Sequence, residues 1–187
     1  RACAARSPGG RRPQPESSLW LADPEMSAGR RGFGRMITDL HNLAGRASIA
    51  DDKFRVLRFW KGREMVRIAL REVSEAAPLE ETLIELSQLA DICLTTVFDH
   101  WNEEFRRRWG SPACQLAIFG LGKLGGSALN HGSDVDLVCV LRGEAQCDEN
   151  CSCTDWFHRP RNQIMSTFSP SGRVGIRIRL QLRTIAP

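Results

Sequence analysis

The stretch LAIFGLGKLGGSALNHGSDVDLVCVL, residues 116–141, decides how this chain of 187 residues is read. An apolar run ends in a glycine-rich turn, and two aspartates spaced Asp-x-Asp then head a second apolar run. Two readings compete: a tight turn into a buried strand, or a phosphate-and-metal site. CQLAIFG and DVDLVCVL have the length and apolar content of short buried strands, and GKLGGSALNHGS reads as a turn with a short helix between them.

Phosphoryl or nucleotidyl transfer makes specific demands on such a stretch. The dense charge of a bound triphosphate requires close backbone approach and neutralisation by divalent metal. Gly125 and Gly126 permit that approach, and a helix starting just after them would point N–H groups at the phosphates. Mg²⁺ takes oxygen ligands, typically one or two carboxylates plus phosphate oxygens. Asp134 and Asp136 are two apart in an extended segment, so they leave one face of the strand and can reach one metal, while Val135, Leu137 and Val138 anchor it in the core. Carboxylates held this close are costly without a compensating cation. Lys123 in the turn and the flanking Ser127 and Ser133 are phosphate-binding candidates; the plainer readings are a solvated loop lysine and two capping hydroxyls. The stretch is neither a dinucleotide fingerprint nor a Walker A loop, since the distal acid and the G-K-[ST] ending are missing.

Upstream, the pattern is helical. A short helix is expected from Met36 to Leu43. In a second, Phe54, Leu57, Trp60, Met65, Ile68 and Leu70 recur near helical spacing up to Pro78. A long third helix opens with Pro78 at a first-turn position, carries Leu83, Leu86, Leu89 or Ala90, Leu94, Val97, Trp101 and Phe105 as one apolar stripe, and stops at Gly110 behind Arg106–Arg108. Downstream, DWFHRPRNQIMSTFS is helical except that Pro160 should kink or break it. GRVGIRIRLQLR alternates with period two, as a half-buried strand does. The class is α+β, a helical N-terminal region followed by a small mixed sheet. Residues 1–34 are expected to be poorly ordered, 35–110 helical, and 111–187 to hold the sheet.

Composition excludes several classes. A net charge of +4 with no tyrosine and scattered aromatics does not suggest a nucleic-acid binder. No run of 18 apolar residues argues for a membrane span. Cys93, Cys114 and Cys139 sit in apolar segments as small hydrophobes. Cys147, Cys151 and Cys153 match no zinc spacing and read as free thiols in a polar loop, so a reducing, cytoplasmic compartment is expected. His131 has no evident partner, and His41, His100 and His158 read as surface or packing residues. The chain does not begin with Met and stops at RTIAP, which reads as a fragment.

GLGKLGGSALNHGSDVDLVCV closely resembles the active-site motif of the glutamine synthetase adenylyltransferase/adenylyl-removing enzymes, and LRFWKGREMVRIALREV and LEETLIELSQLADICL resemble the helices that precede it. The resemblance covers roughly residues 53 to 184. It implies a nucleotidyltransferase domain of the DNA polymerase β type over 111–187, C-terminally incomplete. Asp134 and Asp136 would hold Mg²⁺, Gly125 and Gly126 would cradle phosphates, and glutamine synthetase and ATP or ADP would be partners. The wording lies nearer the adenylyl-removing half of the family. One departure stands out. Where the family's last strand resembles RVDLRLRP with a third metal carboxylate, this chain has RIRLQLRT, residues 177–184, placing Arg179 at the aspartate, Gln181 at an arginine and Thr184 at the proline. An arginine is permanently charged and cannot ligate Mg²⁺, so little or no transferase activity is expected. The alternative is a non-catalytic regulatory module binding glutamine synthetase or nucleotide.

Overall fold

Pro78 and Gly110 bracket the longest element. In the computed structural model, which describes residues 29–46, 53–110, 114–143, 146–148, 151–168 and 176–185, this helix is α3, Leu79–Trp109. Pro78 is its N-cap, and Gly110, at φ +79°, closes it by donating its N–H to the Arg106 carbonyl. Two helices precede it, α1 (Phe33–Arg46) and α2 (Lys53–Val73). Their buried faces meet in one apolar core with Phe54, Leu57 and Trp60 from α2 and Leu86, Leu89, Cys93 and Val97 from α3. Each large side chain buried this fully contributes about 2–3 kcal/mol. The expected stripes hold, except that Leu70 is exposed and Met65, Leu83 and Trp101 are only half-buried.

Beside these apolar contacts, α2 and α3 share a buried ionic cluster. Arg67 and Glu85 are fully buried, and Glu64 and Arg71 nearly so. Arg67 bridges Glu64 at 2.8 Å and Glu85 at 2.6 Å, while Arg71 pairs with Glu85 and Glu81. Arg31 joins them through Glu64 at 3.1 Å and donates its backbone N–H to Glu85. Buried charges persist only when paired and hydrogen-bonded in this way. Arg31 lies inside the span expected to lack order; residues 29–34 are placed, the last two already in α1, whereas 1–28 lie outside the described residues.

Three strands form the main sheet: β1 (Cys114–Gly120), β2 (Val135–Gly143) and β5 (Ile178–Ile185), in the order β1-β2-β5. β1 pairs antiparallel with β2, and β2 parallel with β5, so the sheet is mixed. Alternation sorts the faces of β2: Val135, Leu137, Cys139 and Leu141 are buried against the helices, and Asp136, Val138 and Val140 face the other way. Val138 is therefore not the anchor it was expected to be. β1 departs further: Gln115 to Phe119 are all exposed, and β1 is a sheet edge.

A two-stranded ribbon, β3 (Gln146–Asp148) with β4 (Cys151–Ser152), holds the backbone of the cysteine-rich segment, and the side chains of Cys147, Cys151 and Cys153 lie outside the description. The helix α5 (Cys153–Phe168) runs unbroken through Pro160. Phe157, Ile164 and Phe168 on one of its faces are buried, and Trp101 of α3 donates its indole N–H to Thr167 at 3.2 Å. That packing offsets the one helical hydrogen bond a proline removes.

Candidate functional site

The glycines set the local geometry. After β1 the backbone turns through Gly122, at φ +54°, into α4, a single helical turn over Gly122–Gly125. Leu121 donates its N–H to the Asp136 carbonyl at 2.8 Å, which brings this turn against the head of β2. Gly122 lies so near that a Cβ there would be 3.9 Å from Asp136 Oδ2. The helical turn ends at Gly125–Gly126, where a helix was expected to begin. Residues 127–134 are loop and turn, so no helix follows the glycine pair here.

That loop is fastened to the helices. Leu129 donates its N–H to Ser87 Oγ on α3 at 3.1 Å, and His131 Nε2 lies 3.1 Å from Glu72 Oε2 on α2. His131 thus has the partner that its sequence context did not reveal. Lys123 Nζ reaches Asn130 Oδ1 and Ser133 Oγ, each at 3.5 Å, and Ser133 hydrogen-bonds Asn130. Lys123 and Ser133 are brought together, while Ser127, directly after the glycine pair, is exposed at φ +51°. On the helix side of β2 a cavity of about 230 Å³ opens behind this loop, with Leu89 and Val135 among its walls and Ser133 and Arg177 also lining it.

Asp134 and Asp136 lie together, and two arginines meet them. The β2–β5 ladder places Arg179 directly beside Asp136. Arg179 Nη2 is 3.0 Å from Asp134 Oδ2, and its Nη1 is 3.7 Å from Asp136 Oδ1. Arg177 Nε lies 3.2 Å from the other oxygen, Asp134 Oδ1, as an ion pair without hydrogen-bond geometry. A divalent cation needs those oxygens as ligands. With both oxygens of Asp134 engaged by guanidinium groups, and no cluster of three metal-ligating side chains among the described residues, the donor set does not fit Mg²⁺.

Arg177, Ser87 and Glu72 went unnoticed in the sequence reading. The signal for Arg177 was present, since it shares the outward face of an alternating strand with Arg179. Nothing local marks Ser87 or Glu72, which act across 42 and 59 residues.

The family model described as glutamate-ammonia ligase adenylyltransferase matches residues 13–184. Among curated proteins, bifunctional glutamine synthetase adenylyltransferase/adenylyl-removing enzymes are similar. That of Shewanella woodyi is 36% identical over 116 residues, covering 58% of this chain and 12% of the relative. That of Methylococcus capsulatus is 29% identical over 153 residues, covering 78% and 16%. That of Vibrio parahaemolyticus is 40% identical over 100 residues, covering 49% and 11%. The chain thus spans no more than about a sixth of the length of these relatives. With the family model matched over nearly its whole length, the chain belongs to the glutamate-ammonia ligase adenylyltransferase family.

Proposed function

We propose that this chain is the nucleotidyltransferase module of an enzyme that attaches AMP to glutamine synthetase or removes it by phosphorolysis, with its own turnover suppressed. Residues 35–110 serve as a helical platform and 111–187 as the nucleotidyltransferase part. The observation that carries the reading is the pair Asp134 and Asp136, flanking Val135 at the head of β2 and one loop from the Gly125–Gly126 turn. Family membership supports ATP or ADP and glutamine synthetase as the partners.

In this reading the glycine pair admits phosphate to the backbone, and Lys123, Ser133 and Ser127 border it. Mg²⁺ is the cation such transfer calls for, and Asp134 and Asp136 are the residues that would have to hold it. Arg179 pairs with both of those residues, which favours a second reading, a non-catalytic module that binds nucleotide or glutamine synthetase. The buried free thiols of Cys93 and Cys139 accord with a cytoplasmic setting.

The test is to mix the purified chain with adenylylated glutamine synthetase, phosphate and Mg²⁺, and to follow ADP release alongside calorimetric titration with ADP and ATP. Nucleotide binding without ADP release is expected. Release abolished by Asp134→Ala overturns the suppressed turnover. Failure to bind either nucleotide, with or without metal, overturns the nucleotide site itself.

A further inference from the structure

We infer that Arg179 is a resident counter-ion: its guanidinium takes the electrostatic role of a divalent cation between Asp134 and Asp136, so the site excludes divalent metal. Resting on the nucleotide reading above, a second clause follows: phosphates enter this site uncomplexed by metal.

Two carboxylates on one strand face repel each other unless a cation lies close. Here the cation is covalently part of the sheet. Arg179 is the ladder partner of Asp136 on a parallel strand, so the backbone itself keeps the guanidinium within reach of both acids. Its charge is delocalised and permanent, and its planar fork suits two carboxylate acceptors. Arg177, two residues earlier and just ahead of the strand, meets the remaining oxygen of Asp134. Asp134 and Asp136 carry two negative charges, and Arg177 and Arg179 two positive ones, so the cluster is balanced with no metal present. A divalent ion entering it would lose ligands already engaged and meet two like-charged neighbours.

The same arrangement leaves an anion something to bind. The side chains of Arg177 and Arg179 remain 62% and 71% exposed. A guanidinium has five N–H donors, so both groups keep donors facing solvent while they hold the acids. Lys123, on the neighbouring turn, is exposed as well.

The experiment titrates Mn²⁺ into the chain and its variants, read by electron paramagnetic resonance of free Mn²⁺ and by calorimetry. The wild-type chain is expected to bind no Mn²⁺ up to millimolar concentration. Arg179→Ala should gain binding, and Arg179→Asp, with a third carboxylate, should bind at least tenfold tighter than Arg179→Ala. Adding Asp136→Asn should abolish the gain. Should Arg179→Asp fail to fold, judged by circular dichroism, Arg179→Ala decides the question alone. Wild-type affinity for Mn²⁺ equal to that of Arg179→Ala overturns the inference. In the second arm, ADP affinity of the wild type should be unchanged by EDTA; loss of ADP binding in EDTA overturns the metal-free clause. Absence of ADP binding from every variant overturns the nucleotide reading, and the Mn²⁺ arm then still decides the role of Arg179.

Discussion

A Cβ atom at Gly125 would lie 2.5 Å from the carbonyl oxygen of Gly120, a separation that real side chains do not reach. The turn between β1 and β2 closes on itself at that contact, and the obstruction is backbone rather than a movable side chain. Gly126 is different: its φ is −89°, and a Cβ there would stand 3.4 Å from the Gly122 carbonyl. Gly125→Ala is therefore expected to destabilise by about 2 kcal/mol, as overpacking does. Gly126→Ala should stay within about 0.5 kcal/mol of wild type. Urea unfolding of both variants checks the contrast, and equal losses would refute it.

Arg67 is completely buried between Glu64 and Glu85. Removing it takes one cation from two buried carboxylates, leaving Glu64 with Arg31 and Glu85 with Arg71 and the Arg31 N–H. Arg67→Met is expected to cost about 3–5 kcal/mol, the range for breaking one partner out of a buried ion pair. Chemical denaturation measures it, and a loss under about 1 kcal/mol would show that water or neighbouring arginines take its place.

Ser87 is the one hydroxyl that accepts the buried N–H of Leu129. Ser87→Ala leaves that N–H without an acceptor, at about 1–3 kcal/mol. Amide hydrogen exchange gives the more specific signature: the Leu129 amide should lose protection while amides in the middle of α3 keep theirs.

Burial pushes the Cys93 thiol up to about 12, and Cys139 likewise to about 12, from an ordinary value of 9.0. Above pH 9 the unfolded chain releases these protons while the folded chain keeps them. Stability therefore falls as pH rises from about 9 towards 12, by up to about 1.4 kcal/mol per unit for each thiol. Lys61, lowered by burial, acts in the opposite sense as pH rises towards its ordinary value of 10.5. Comparing the alkaline limb of Cys93→Ala with wild type isolates the thiol: the variant's slope should be shallower by about that amount. Identical slopes would rule the effect out.

The legible parts of the molecule were those written in local periodicity. α3 showed itself through its stripe and its two ends, and β5 through strict alternation. The Asp-x-Asp pair showed itself because extended chain places alternate residues on one face. What stayed hidden depends on partners far away in sequence. CQLAIFG has the composition of a buried strand, yet whether a strand is covered is decided by what lies over it, and β1 is an edge. The arginines and glutamates of α2 and α3 look like solvated helix faces until α2 turns them onto Glu85 and Arg31. The sequence pointed to Arg179 only through family resemblance, and its place beside Asp136 came from the sheet, because strand pairing across 43 residues leaves no local mark.

The loop ahead of Asp134 owes its position to two helices: Ser87 holds it at Leu129, and Glu72 holds it at His131. Val135 and Leu137, which follow, rest on the same helical core. The platform is therefore the jig in which the acids are aligned. A piece cut at the junction between residues 110 and 111 would carry every residue of the motif and none of the surface that holds it in register. Such a piece should express as a loosely ordered chain, and fusing it back to its helices should restore order without any change to the motif.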